Sequence, residues 1–256
     1  MTAEALYDTD YYCRMRGGGE LYVQFASILP LSDYRDQPIL DVGCGRGDLI
    51  RHLIECGCRN LTGFDFSRDA LTYAGAATNN ISPSVSVTLK YGSIAERNLF
   101  SPESFALVFM TDVVEHLPSE ILHEGLINVQ YWLERYGRLV VHTFPTLGPH
   151  KLYRQILRLH GKTKELAVLD AIHCNVQTRK TLRAALEGAG FTVERMWLRN
   201  DVTLTSSAYK ALRPGPFKTI LGKLFEGALG SAWMRVLFQE YAAPSIYAVA
   251  KPAKTN

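Results

Sequence analysis

The chain has 256 residues, 47% of them hydrophobic and 21% charged, which fits one large α/β domain and excludes a disordered or fibrous chain. Lys and Arg number 28 against 25 Asp and Glu, and a formal charge of +3 argues against a dedicated nucleic-acid binder while allowing a local basic face. No run approaches the ~20 consecutive apolar residues that a spanning helix needs, and Met1-Thr2-Ala3-Glu4-Ala5 lacks the basic start and apolar run of a signal peptide. The five cysteines, Cys13, Cys44, Cys56, Cys58 and Cys174, are odd in number and scattered, so reduced thiols in a cytoplasm are expected. Cys56-Gly57-Cys58 has no second close pair to complete a zinc site.

The first 35 residues are aromatic and glycine-rich, with Tyr7, Tyr11, Tyr12 and Gly17-Gly18-Gly19. Strand and helix patterns then alternate. Ile39-Leu40-Asp41-Val42-Gly43 is a short apolar run that stops at glycines, and Leu49, Ile50, Leu53 and Ile54 mark one side of a following helix. Leu61 to Asp65 reads as a second strand, and Ser67 as the N-cap of the next helix, with Asp69 in its first turn. Val85 to Leu89 alternates with period two. Phe105 to Met110 is continuously apolar, as in a parallel strand covered on both faces. Pro118 opens a helix, and Leu139-Val140-Val141 forms a fifth strand. Thr178 to Leu186 is helical, and Phe191 to Trp197 and Ser245 to Ala250 are the last two strands. Two stretches break this rhythm, at about 145–170 and 201–242, and read as helical insertions. The alternation implies an α/β sheet wound with helices on both faces.

Ligands of such a sheet bind beyond the carboxyl ends of its strands. The first strand ends in Asp41-Val42-Gly43-Cys44-Gly45-Arg46-Gly47, whose alternate glycines permit a tight turn and close approach of a ligand to backbone. Asp65 ends the second strand and can accept two hydrogen bonds from ribose hydroxyls. An adenosine-containing cofactor is therefore expected. The spacing G-x-G-x-G departs from the dinucleotide fingerprint G-x-G-x-x-G, because Asp48 stands where its last glycine would be. Asp41 would repel a pyrophosphate but attract an ammonium or sulfonium group, which favours S-adenosylmethionine over NAD.

Ile39 to Gly47 resembles the first motif of class I S-adenosylmethionine-dependent methyltransferases, in particular the ubiquinone-biosynthesis and small-molecule O-methyltransferase branch. Ser104 to Val108 with Asp112-Val113-Val114-Glu115-His116-Leu117-Pro118 is similar to the fourth-strand motif, Gly137 to Val141 to the fifth strand, and Gly190-Phe191 to the turn before the sixth. The resemblance spans about residues 36 to 199 and the final strand. It implies a doubly wound, mostly parallel seven-stranded Rossmann-like sheet with helical cap insertions. It further implies that Asp41, Gly43 and Gly45 wrap the methionine part of the cofactor, Asp65 holds the ribose, and Phe66 lies against the adenine. Ser93 and Ile94 stand where the family has an Asp and a small or apolar residue, and Thr111 and Asp112 end the fourth strand beneath the methionine.

A hydroxyl acceptor needs a base, for which His116, His142, His150 and His173 are candidates, with His116 favoured by its place after the fourth strand. Asp112, Glu115 and His116 form D-x-x-E-H, similar to the E-x-x-E-H of ubiquinone-biosynthesis and small-RNA 2′-O-methyltransferases. His173 to Arg179 matches the H-x-x-x-x-T-R stretch of the latter. On a helical turn, Asp112, Glu115 and His116, joined by His173, suit magnesium, manganese or zinc. Against this, the same residues serve as a pocket floor in methyltransferases without metal.

The reading that follows is methyl transfer from S-adenosylmethionine to a small or lipophilic acceptor, most simply a hydroxyl. An RNA 2′-O-methyltransferase, an N- or C-methyltransferase, an NAD-dependent oxidoreductase and a non-catalytic cofactor-binding protein remain alternatives. Residues 1–35 are expected to form a lid in which Arg14 and Arg16 meet the cofactor carboxylate. Phe217, Ile220, Leu221, Leu224, Phe225 and Leu229 form an apolar stripe in the second insertion, expected to cap the acceptor site. A dimer interface and a basic amphipathic contact with an anionic membrane are its other expected roles, so monomer and homodimer both stay open.

Overall fold

The computed structural model describes residues 28–144, 146–199 and 245–253. The expected arm with Arg14 and Arg16 and the 201–242 insertion with Leu224 lie outside these residues, apart from a short 3-10 turn at Leu31–Tyr34 that buries Leu31. Seven strands form one sheet: β1 (Pro38–Val42), β2 (Asn60–Asp65), β3 (Ser86–Tyr91), β4 (Phe105–Thr111), β5 (Leu133–Thr143), β6 (Phe191–Arg199) and β7 (Ser245–Pro252). Among the described residues, six helices accompany them: α1 (Asp48–Glu55), α2 (Arg68–Thr78), α3 (Ser119–Trp132), α4 (Leu147–Leu159), α5 (Thr163–Ile172) and α6 (Arg179–Gly188). The strand order is β3-β2-β1-β4-β5-β7-β6. β1 pairs in parallel with β2 and β4, and β4 with β5, whereas β7 runs antiparallel between β5 and β6. The expected α/β, doubly wound, mostly parallel sheet is the fold observed.

Alternation along β1 and β4 divides the core between the two faces. Leu40, Val42, Val108 and Met110 meet α3 through Leu122, Leu126 and Trp132. Ile39, Leu107 and Phe109 meet α1 through Leu49, Ile50 and Leu53. Both faces of these strands are covered, which explains the unbroken apolar run of β4. Trp132 is fully buried, and its indole N–H donates to the Arg97 carbonyl at 2.8 Å. Ser67 caps α2 as expected, its hydroxyl accepting from the Ala70 N–H at 3.3 Å. β5 starts at Leu133, immediately after α3 and six residues before the apolar run that signals it in sequence. The chain order reverses between β1 and β4, so their carboxyl ends open the crevice where ligands bind in such sheets.

Candidate active site

Gly43 and Gly47 shape the loop between β1 and α1. Both have positive φ, +66° and +76°, a region that a side chain makes costly. A Cβ on Gly43 would also sit 2.8 Å from Val113 Cγ2, so the loops after β1 and β4 touch at a point that excludes any side chain. Asp65 ties this loop to the end of β2. One carboxylate oxygen accepts from the Gly45 N–H at 2.9 Å, and the other from the Ser67 N–H at 2.8 Å. A carboxylate has more lone pairs than these N–H groups occupy, so it can still accept from a ribose hydroxyl. Burial raises the Asp65 pKa, and the N–H groups of Ser67, Gly45 and Phe66 partly offset it.

Asp41 lies on β1 with 3% of its surface exposed. Burial drives its pKa well above the usual carboxylate value, and the charges of Asp65 and Asp48 add to the rise. Beside it the Cys44 thiol is pushed up by burial and by Asp41 and Asp65. A buried acidic pair without a cation is electrostatically costly, and a sulfonium or ammonium group supplies the missing charge. Thr111 Oγ1, at the end of β4, is buried with no hydrogen-bond partner. The glycine cradle, the acidic pair and this orphaned hydroxyl together fit S-adenosylmethionine. Phe66 is half-buried after β2. Ile94 is a core residue, its side chain packed against Gly125 and its carbonyl accepting from the Asn128 amide at 2.9 Å. The Ser93 N–H donates to the Glu96 carboxylate at 3.0 Å. Contacts from Ile94 to a ligand are therefore limited to its backbone.

Asp112, Glu115 and His116, weighed above with His173 as metal ligands, do not share one regular helical turn after β4. The D-x-x-E-H spacing presumes a helical turn, but Asp112 has φ +55° and only Val114–His116 form a 3-10 turn. Asp112 lies instead 2.8 Å from His142 Nδ1. Glu115 is turned inward and fully buried, accepting from the Thr143 hydroxyl at 2.8 Å and the Phe144 N–H at 3.2 Å. Burial foremost, followed by the Asp112 charge, pushes its pKa up to about 8. His116 Nδ1 lies 2.9 Å from the Ile172 carbonyl. Among the described residues, no group of three or more His, Cys, Asp and Glu side chains is placed to hold a metal ion.

The end of α5 and the residues after it dock on this turn. The Asn175 N–H donates to the Glu115 carbonyl at 3.0 Å, and the Cys174 thiol to the His116 carbonyl at 3.4 Å. The His173 ring lies tilted against His116, with ring centroids 5.0 Å apart, and 5.8 Å from the His150 ring. A carbonyl only accepts, so His116 Nδ1 carries the proton and the ring lone pair belongs to Nε2. Burial lowers the His116 pKa, which keeps the ring neutral at pH 7. Thr178, read as part of the H-x-x-x-x-T-R stretch, is the N-cap of α6 in a reciprocal capping box with Thr181. The inward Glu115 was missed by sequence reasoning, because nothing in D-x-x-E-H distinguishes a ligand from a brace.

A glycine cradle at the β1/β4 crevice, an acid at the end of β2 and an antiparallel β7 define a class I, S-adenosylmethionine-dependent methyltransferase. A family model described as a methyltransferase domain matches residues 19–195, and the chain belongs to that family. It is similar to a ubiquinone biosynthesis O-methyltransferase of Colwellia psychrerythraea, 30% identical over 96 residues. That alignment covers 38% of this chain and 38% of the length of that relative. Among solved structures, a SAM-dependent methyltransferase from Archaeoglobus fulgidus superposes with a TM-score of 0.60 at 18% identity, covering 90% of this chain and 92% of that one. Magnesium protoporphyrin IX methyltransferase from Synechocystis, solved with SAH bound, gives 0.58 at 16% identity over 93% and 84%. Both likenesses concern the fold. No helix among the described residues is long and apolar enough to cross a membrane.

Proposed function

We propose that this methyltransferase transfers a methyl group to a hydroxyl of a small or lipophilic acceptor, with His116 as general base. The observation that carries the reading is the His116 Nδ1 to Ile172 carbonyl contact of 2.9 Å, which assigns the proton-accepting lone pair to Nε2 just beyond β4. Bound S-adenosylmethionine supplies an electrophilic methyl group on a sulfonium. Asp41 offsets the cationic charge, Asp65 holds the ribose, and Gly43 and Gly45 let the backbone approach the methionine part. Thr111 offers its orphaned hydroxyl to the same part, Phe66 the ring that faces the adenine, and Ser93 and Ile94 their backbone. His116 takes the acceptor proton, while the crevice aligns the acceptor oxygen with the methyl carbon. The name of the Colwellia relative supports O-methylation as the reaction class.

Calorimetric titration with S-adenosylmethionine, followed by labelled-methyl transfer to cell extract, tests the reading. His116→Ala should keep cofactor affinity and lose roughly a hundredfold or more in kcat. Because the pKa of His116 is lowered below 6.5, the acidic limb of the wild-type rate profile should fall below pH 6.5. A His116→Ala enzyme with wild-type kcat removes the base assignment.

A further inference from the structure

His173, whose ring lies tilted against His116, also lines a cavity of about 570 Å³ between α4 and residues 173–176. The lining residues of α4 include His150, Lys151, Arg154 and Arg158, which recur three and four apart and therefore share one helix face. This face is one-sided in charge. Arg154 pairs with Asp170, whereas Lys151 and Arg158 have no carboxylate partner among the described residues. Two further polar atoms of the lining residues, His150 Nε2 and His173 Nδ1, are buried without a hydrogen-bond partner. Asn175 adds an amide to the same wall.

A concave wall with uncompensated cations attracts an anion, and guanidinium forks match the oxygens of phosphate. Two unpaired cations match a dianion, where a single carboxylate would leave one of them uncompensated. The volume lies within the range of about 300 to 1,000 Å³ typical of small-molecule sites. A bare inorganic ion would leave most of it empty, so the occupant is an organic molecule with an anionic end. His173 joins this cavity to the proposed base. We infer that the methyl acceptor is a phosphate ester, its phosphate held by Lys151 and Arg158 with help from Arg154, and its hydroxyl directed toward His116. The inference rests on the methyl-transfer reading of the same site. A water-soluble metabolite and a lipid headgroup present the same phosphate oxygens, and the test distinguishes them.

The test uses the full chain and the double variant Lys151→Glu/Arg158→Glu, both positions being exposed. Inorganic phosphate is titrated into each protein with S-adenosylhomocysteine present, against chloride at equal ionic strength. Phosphate should bind the wild type with a Kd on the order of 1 mM and the variant at least about tenfold more weakly. Both proteins should bind S-adenosylmethionine equally. Lys151→Gln/Arg158→Gln, which removes charge without reversing it, should weaken phosphate in the same direction. In labelled-methyl transfer, phosphatase treatment of the extract should abolish labelling. Label in the aqueous fraction identifies a soluble ester, and label in the chloroform fraction identifies a lipid. Phosphate that binds wild type and variants alike, or not at all, overturns the inference, as does undiminished labelling after phosphatase. Failure of the wild type to bind S-adenosylmethionine instead removes the methyl-transfer reading, whatever phosphate does.

Discussion

Glu115→Gln should convert a pH-dependent stability into a flatter one. The carboxyl of Glu115 is fully buried between the turn after β4 and the end of β5, where the Thr143 hydroxyl and Phe144 N–H donate to it. Its pKa is about 8 in the folded chain against 4.5 for the ordinary group. A folded-state pKa raised in this way gives a contribution that is fully present below pH 4.5 and is lost as pH rises to about 8. A rise from 4.5 to about 8, at about 1.36 kcal/mol per unit, sets a ceiling of roughly 5 kcal/mol for that loss. Glutamine has no proton to lose. Its carboxamide oxygen can accept from the Phe144 N–H, and its NH₂ can donate to a rotated Thr143 hydroxyl. Urea denaturation of both proteins at several values between pH 5 and pH 8 measures the effect. The two should be close in stability at pH 5, and the variant should gain on the wild type by several kcal/mol toward pH 8. Adding Asp112→Asn should lower the window, because the Asp112 charge is second only to burial in raising this pKa. A stability difference that stays constant across pH refutes the reasoning.

Asp41→Asn should weaken S-adenosylmethionine binding while stabilising the free protein at neutral pH, since it relieves a buried carboxyl crowded by Asp65 and Asp48. In the wild type, a bound cation favours ionised Asp41, so binding should release protons and tighten as pH rises; calorimetry in buffers of different ionisation heat measures both. Gly43→Ala places a Cβ 2.8 Å from Val113 at φ +66° and should cost about 1–3 kcal/mol of backbone strain beyond the clash. Pairing it with Val113→Ala should recover only the clash in thermal melts and cofactor titration. Chelator treatment should leave methyl transfer unchanged, because the left-handed backbone of Asp112 breaks the helical spacing and the Glu115 oxygens accept from Thr143 and Phe144; loss of activity that is restored by added magnesium or zinc would reverse that assignment.

The sheet and the glycine turn at its proposed cofactor end were legible in sequence because each depends on residues with few substitutes. A strand-end glycine at positive φ and an acid at the end of the next strand are chemical requirements, and Gly43 and Asp65 announce them. The apolar run of β4 is equally plain, since burial on both faces removes alternation. The start of β5 was not legible, because Glu134, Arg135 and Tyr136 extend the strand into solvent with no apolar signal. Nor was the fate of D-x-x-E-H, whose helical spacing is broken at one residue by the left-handed backbone of Asp112. Thr178 illustrates the same ambiguity: its spacing from His173 suggested a ligand motif, yet its position before α6 makes it a cap.

The proposed acceptor side is built differently from the proposed cofactor side, and this explains why the sequence is quieter there. Gly43 and Asp65 shape the loop at their own strand ends, through positive φ and through hydrogen bonds to Gly45 and Ser67. His116 depends instead on a carbonyl 56 residues away, at Ile172, and Glu115 on donors 28 and 29 residues away. Residues 172–175 close over the turn after β4 through the Asn175 backbone bond, the Cys174 thiol, the Ile172 carbonyl and the His173 ring. Helix α5, which delivers this segment, pairs through Asp170 with Arg154 of α4, the helix that carries the basic face lining the cavity. A substitution that shifts α5 should therefore alter both the His116 tautomer and the acceptor pocket while leaving the Gly43–Asp65 end intact. On the proposed reading, acceptor choice can diverge through this insertion without disturbing the cofactor loop, which is a physical reason why a cofactor motif does not specify an acceptor.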